Sequence, residues 1–255
     1  MFDSIAAALA LSQNDILVLI LICFVAGMVR GFSGFALSAC VMASGALILP
    51  PVQLIPICFF LELAASVLMV RGGWKDANRR VAIALAIGST VGVPFGLILT
   101  TNVDAATSQL FALILIAALA MMQLARIRFA FLATKPGLYG AGVMAGIATG
   151  IASVGGMVVA LYVLARQAPA REMRGSLVLF LFIGSCTTAV SLLLFGVMDS
   201  ASIVRGLVFA IPAGLGVVAG KLLFRPSWEP YYKPFCLCLL VALAVWGILR
   251  LVLGV

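Results

Sequence analysis

Hydrophobic positions in this chain fall in long unbroken runs with short polar interruptions, and no run alternates residue by residue. A window of about 19 residues resolves apolar segments near 16–29, 36–49, 53–70, 80–99 and 106–124. A second set lies near 137–152, 156–165, 175–196, 203–222 and 234–253. Continuous runs of this length predict membrane-spanning α-helices, because a barrel strand would alternate between lipid and lumen. The expected fold is therefore an all-α polytopic membrane protein of about ten hydrophobic segments. The second and seventh segments are short, and each follows a Gly-rich interruption.

Composition removes the soluble alternatives. Of 255 residues, 65% are hydrophobic and only 9% charged, whereas soluble domains carry about 25% charge. The formal charge of +8 does not point to nucleic acid, since the Lys and Arg residues are dispersed among apolar runs. They sort by loop instead. Arg71, Lys75, Arg79 and Arg80 follow the third segment, and Arg126, Arg128 and Lys135 follow the fifth. Arg166, Arg171 and Arg174 follow the seventh, and Lys221, Arg225 and Lys233 the ninth. Loops of the other parity carry Asp104 and Asp199, with Arg205 as the nearby cation. By the positive-inside rule the basic loops face the cytoplasm, which puts both termini outside. The N-terminus, with Asp3 and Asp15 and no cation before the first run, reads as a retained span and not as a cleaved signal peptide.

The two sets of five segments share landmarks. Ala26, Gly27 and Gly31 recur as Ala145, Gly146 and Gly150, Gly34 as Gly155, and Pro51 as Pro169. Pro94-Phe95-Gly96-Leu97 recurs as Pro212-Ala213-Gly214-Leu215. Five is odd, so a duplication places the halves (1–130 and 131–255) in the membrane with opposite orientation. This is the inverted-repeat plan of many secondary transporters, whose sites lie where short, interrupted helices meet. Here the interruptions are Arg30-Gly31-Phe32-Ser33-Gly34-Phe35 and Thr149-Gly150-Ile151-Ala152-Ser153-Val154-Gly155-Gly156. A helix that starts after such a break presents free N–H groups and the positive end of its dipole, and glycine lets an anion approach closely. The expected substrate site thus comprises Arg30, Gly31, Ser33, Gly34, Thr149, Ser153, Gly155 and Gly156.

Arg30 has two readings: a bidentate donor to an oxyanion, or a cytoplasmic-end arginine. Glu62, in the middle of the third segment, reads as a proton-coupling acid or as the buried partner of Arg30. Pro94 and Pro212 read as helix kinks. Ser89, Ser185, Thr187 and Thr188 read as helix-packing polar groups. No cofactor or metal is expected, and the expected partners are a small anion, the bilayer and at most a second copy of the chain (monomer or homodimer). The chain has no histidine, which removes Ser-His chemistry despite the Gly31-Phe32-Ser33-Gly34 string. Its six cysteines include no C-x-x-C pair, so a thiol electron carrier is also excluded.

The run Ala26 to Phe35, continuing to Pro50-Pro51, resembles the opening of the sulfite exporter TauE/SafE family. Glu62 followed by a basic loop, Gly92-x-Pro94-x-Gly96, Gly146-x-x-x-Gly150 and Gly155-Gly156 extend the likeness over essentially the whole chain. The resemblance implies a bacterial inner-membrane carrier for sulfur oxyanions or organosulfonates, in either direction. Phe32, Ser33 and Phe35 stand where more glycine is expected, and Arg30 is added, so the expected substrates include a larger or partly apolar anion alongside sulfite. The alternative is a passive anion channel of the same fold, which would show no counterflow of labelled substrate.

Overall fold

A computed structural model describes residues 9–127, 129–166, 169–223 and 229–253; Asp3, Arg128 and Arg225 lie outside them. Among the described residues every regular element is helical. The order is α1 (Gln13–Ser33), α2 (Leu37–Gly45), α3 (Pro51–Asp76), α4 (Arg79–Asn102), α5 (Ala105–Leu124), a 3-10 turn (Ala130–Ala133), α6 (Lys135–Ala152), α7 (Gly155–Ala165), α8 (Ala170–Leu194), α9 (Ser200–Leu223) and α10 (Glu229–Leu253). Each of the ten expected segments corresponds to one helix. Seven of these helices are long and apolar enough to cross a membrane, while α6 and α7 are shorter apolar helices. At 1.5 Å per residue, α2 is about 14 Å long and α7 about 17 Å, roughly half the bilayer core.

The helix ends follow from local chemistry. Ser12, Asn78, Asp104 and Thr134 each accept a backbone N–H of the following turn and start α1, α4, α5 and α6. Asp199 accepts the Ser202 N–H at 2.8 Å and starts α9 in the same way. The helix α3 extends past the apolar run to Asp76, six residues beyond the expected end at Val70, because polarity marks where a helix leaves the bilayer and does not unwind it. Pro94 and Pro212 sit inside α4 and α9, both of which continue unbroken on either side.

Two of these caps carry a pH dependence. Hydrogen bonds from the hydroxyl and then the amide of Thr107 hold the Asp104 carboxyl below the usual carboxylate range, and Ser202 does the same for Asp199. A carboxyl lowered on folding adds stability above its unfolded pKa, about 3.9; that stability is lost as pH falls through the lower folded value. Asp199→Ala is expected to reduce stability by about 1 kcal/mol at neutral pH. Thermal unfolding in detergent checks this, and the gap between variant and wild type should close below about pH 4.

Packing is led by glycine. A Cβ on Gly88 or Gly142 would come within 3.0 Å of backbone across the α4–α6 contact, and so would one on Gly92, Gly146, Gly96 or Gly150. Gly88 meets Tyr139 and Gly142, Gly92 meets Val143 and Ile147, and Gly96 meets Ile147 and Gly150. Numbers rise together on both helices, so α4 and α6 run in the same direction. Gly27 meets Ala213 and Val217, and Gly31 meets Val217 and Lys221, so α1 and α9 are likewise parallel. Small residues let helix backbones approach closely where lipid supplies no hydrophobic drive for association. Between these pairs α3 and α8 pack on each other, and α5 packs on α10.

Candidate functional site

The first break is shaped by its own side chains. α1 continues through Arg30, Gly31 and Ser33 and ends at Gly34, whose φ of 81° is the left-handed cap that glycine accepts without strain. The Ser33 hydroxyl lies 2.8 Å from the Val29 carbonyl and 2.6 Å from the Phe35 carbonyl, and it accepts the Phe35 N–H at 3.2 Å. Arg174 of α8 crosses the break: it donates to the Gly31 carbonyl at 2.5 Å, and a Cβ on Gly34 would meet its Cγ at 2.9 Å. Gly31, Ser33 and Gly34 are thus engaged with backbone and with α8.

The chain then turns into α2, and the N-terminus of this helix faces a carboxylate. The Ser38 hydroxyl donates to Glu62 Oε1 at 2.9 Å, and the Ser38 N–H lies 3.3 Å from the same oxygen. The other oxygen, Oε2, lies 3.4 Å from Arg30 Nε. Arg30 is 0% exposed and is the buried partner of Glu62. Its Nη2 lies 3.4 Å from the Ser66 hydroxyl, whereas Nε, Nη1 and Glu62 Oε2 have no hydrogen-bond partner among the described residues. The pair is close but incompletely satisfied.

The second break differs. α6 ends at Ala152, and Ser153 takes the left-handed cap position with a φ of 56°, where a residue with a Cβ costs about 1–2 kcal/mol. Gly155 and Gly156 already belong to α7, which has no side-chain cap. A Cβ on Gly155 would collide with Thr149 and Ala145, so this glycine closes the break tightly. The Thr149 hydroxyl donates to the Ala145 carbonyl at 2.8 Å.

Beside the second break lies a cleft with about 440 Å³ of empty space including its mouth. It is lined by Glu62 and Cys58 of α3, Ser89 of α4, Thr149 of α6, Ser153, and Gly184, Ser185 and Thr188 of α8, with Phe59, Phe180 and Leu181 as its apolar walls. Of the expected site residues, Glu62, Thr149 and Ser153 therefore meet at one cavity, and Arg30 touches it through Glu62. Gly31, Ser33, Gly34, Gly155 and Gly156 are not among the lining residues.

The residues that sequence reasoning missed are Ser89, Ser185 and Thr188, read as packing groups but lining the cleft; Ser38 and Ser66 flank the ion pair. A faint signal existed. Cys58, Glu62 and Ser66 recur every fourth residue on one face of α3, and Ser185 and Thr188 are three apart on α8. Chemically, the cleft offers five hydroxyls, one carboxylate and an apolar wall. Among the described residues none that lines the cleft is a cation; Arg30 reaches it only through Glu62, 3.4 Å from Oε2.

Against known families, the model of the sulfite exporter TauE/SafE family matches residues 19–247. No curated protein and no solved structure gives a match. Glu62, the ion pair, both breaks and every residue lining the cleft fall inside the matched range. The chain belongs to the sulfite exporter TauE/SafE family of membrane transporters.

Proposed function

We propose that this protein is a secondary carrier that moves a small anion, a sulfur oxyanion or an organosulfonate such as sulfoacetate, across the bacterial inner membrane by alternating access. The observation that carries the reading is the cleft lined by the hydroxyls of Ser89, Thr149, Ser153, Ser185 and Thr188. Thr149 and Ser185 donate to their own helix, to Ala145 at 2.8 Å and Phe182 at 2.6 Å, and would turn those donors to a bound oxyanion. Phe59, Phe180 and Leu181 suit the carbon skeleton of a sulfonate. Glu62 is the candidate proton-coupling acid. Gly31, Ser33, Gly34, Gly155 and Gly156 shape the two breaks around it.

The helix pairs support the inverted-repeat plan. If residues 1–130 and 131–255 are repeats, α6 is the counterpart of α1 and α9 of α4. The parallel pairs α1–α9 and α4–α6 then exchange when the halves are exchanged. Gly27 and Gly31 on α1 correspond to Gly146 and Gly150 on α6, and all four sit at these contacts. Parallel pairing of the first with the ninth helix, and of the fourth with the sixth, also agrees with basic loops on the cytoplasmic side and both termini outside. The two halves rocking about α3 and α8 would expose the cleft to each side in turn.

Reconstituted into proteoliposomes, the protein is expected to take up labelled sulfite, taurine, isethionate or sulfoacetate and to show counterflow. Thr149→Val, which removes a lining hydroxyl at constant volume, should lower uptake of the best substrate by about tenfold, equivalent to about 1.4 kcal/mol. Uptake without counterflow would assign a channel, and failure with every sulfur anion would remove the substrate class.

A further inference from the structure

The cleft poses an electrostatic problem. An entering oxyanion meets the Glu62 carboxylate, while the cation that could hold it is already engaged. The carboxylate itself occupies what an oxyanion would seek: a backbone N–H at the start of α2, a serine hydroxyl and a guanidinium, at 3.3 Å, 2.9 Å and 3.4 Å. α2 has nine residues, enough for its aligned peptide dipoles to add to that attraction. Arg30 supplies the independent mark of a ligand site. It is fully buried and directed at the carboxylate, yet its Nε and Nη1 lack hydrogen-bond partners among the described residues. A guanidinium has five donors in a planar fork that matches a two-oxygen face. One carboxylate held end-on at 3.4 Å uses little of that capacity.

We infer that Arg30, the Ser38 hydroxyl and the Ser38 amide form an oxyanion seat, with the Glu62 carboxylate as its tethered occupant. Glu62 also lines the cleft, so rotation of one side chain connects the two places. When the carboxylate turns toward the cleft, a mobile oxyanion takes its position on Arg30 and Ser38; when it returns, the anion is expelled. Competition between a tethered and a mobile anion would release substrate from a seat that otherwise binds too firmly. That competition step rests on the carrier reading above, whereas the seat itself does not.

The test uses the full-length protein in detergent, with formate as the probe, because formate is the carboxylate of Glu62 without its tether. In Glu62→Ala the seat is vacant, and thermal unfolding should shift upward by about 2–4 °C at saturating formate. Sodium chloride at equal ionic strength should give no such shift. Wild type should respond less, since its tethered carboxylate competes with formate for the seat. Arg30→Gln/Glu62→Ala should not respond, since its guanidinium is gone. Glu62→Gln, which preserves volume, is the second variant and should respond in the same direction. The proposal is overturned if neither single variant responds, if wild type or the double variant responds equally, or if neither single variant can be recovered in formate-containing buffer. Because the readout needs no transport, a formate response without uptake of any sulfur anion would sink the carrier reading alone. Uptake without a formate response would sink the seat alone.

Discussion

Arg30→Gln should be among the most damaging single substitutions in this protein, costing about 3–5 kcal/mol of stability. Glu62→Gln should approach it, and the double variant Arg30→Gln/Glu62→Gln should recover most of the loss. Removing one partner of a buried ion pair leaves an uncompensated charge in a low-dielectric interior, whereas removing both leaves a neutral contact. Arg30 is fully buried, and the Glu62 side chain is 14% exposed, so solvent offers little relief to either ion left alone. The double-mutant cycle, read by thermal unfolding and by the yield of monodisperse protein, measures the coupling. Near-additive losses would mean that the two ions act independently, which their 3.4 Å separation argues against. The recovered double variant should remain inactive in transport, because the anion-binding charge is lost even when the fold is not.

The second large effect concerns the α4–α6 contact. Gly92→Leu or Gly146→Leu is expected to cost more than about 4 kcal/mol and to abolish recovery of folded protein. At both positions the added carbon would sit closer than 3.0 Å to the backbone of the opposite helix, Val143 for Gly92 and Ser89 for Gly146. Backbone cannot turn aside as a flexible side chain can, so the helices must separate along their length. Gly140 is the internal control. It lies on the same α6 helix, but a Cβ there meets nothing within 4 Å. Gly140→Ala should therefore be neutral or stabilising by up to about 1 kcal/mol through helix propensity. Parallel measurement of expression and unfolding temperature for Gly92→Leu, Gly146→Leu and Gly140→Ala separates contact glycines from incidental ones.

What was legible in the sequence follows from which physical signals are local. Ten helices were readable because each is a continuous apolar run, and the two half-length helices because glycine interrupts the runs at Gly34 and at Gly155-Gly156. The breaks themselves came out narrower than expected. Arg30 to Ser33 and Thr149 to Ala152 remain helical, since a glycine-rich stretch stays helical wherever a neighbouring helix packs against it, as α9 does at Gly31. The Arg30–Glu62 pairing was visible only as one of two alternatives. Thirty-two residues of sequence separation carry no information on contact, and contact is what the 3.4 Å approach of Arg30 to Glu62 supplies. Ser89, Ser185 and Thr188 were illegible for a different reason. A hydroxyl can bond its own helix, as Ser185 does to Phe182 at 2.6 Å, and still line a cavity, so residue type and spacing do not reveal the cleft; only the packing of α3, α4, α6 and α8 does.

The parallel pairing of α1 with α9 has a consequence for biosynthesis. Gly31 finds its packing partners at Val217 and Lys221, more than 180 residues further along the chain. At about 5–20 residues per second, α1 waits roughly 10–40 s in the lipid before the helix that covers its glycines exists. Over that interval the first half of the protein is a set of inserted but unclasped helices. A nascent chain stalled before residue 213 should accordingly be open to proteolysis and to membrane chaperones, and release of α9 from the ribosome becomes the event that closes the structure.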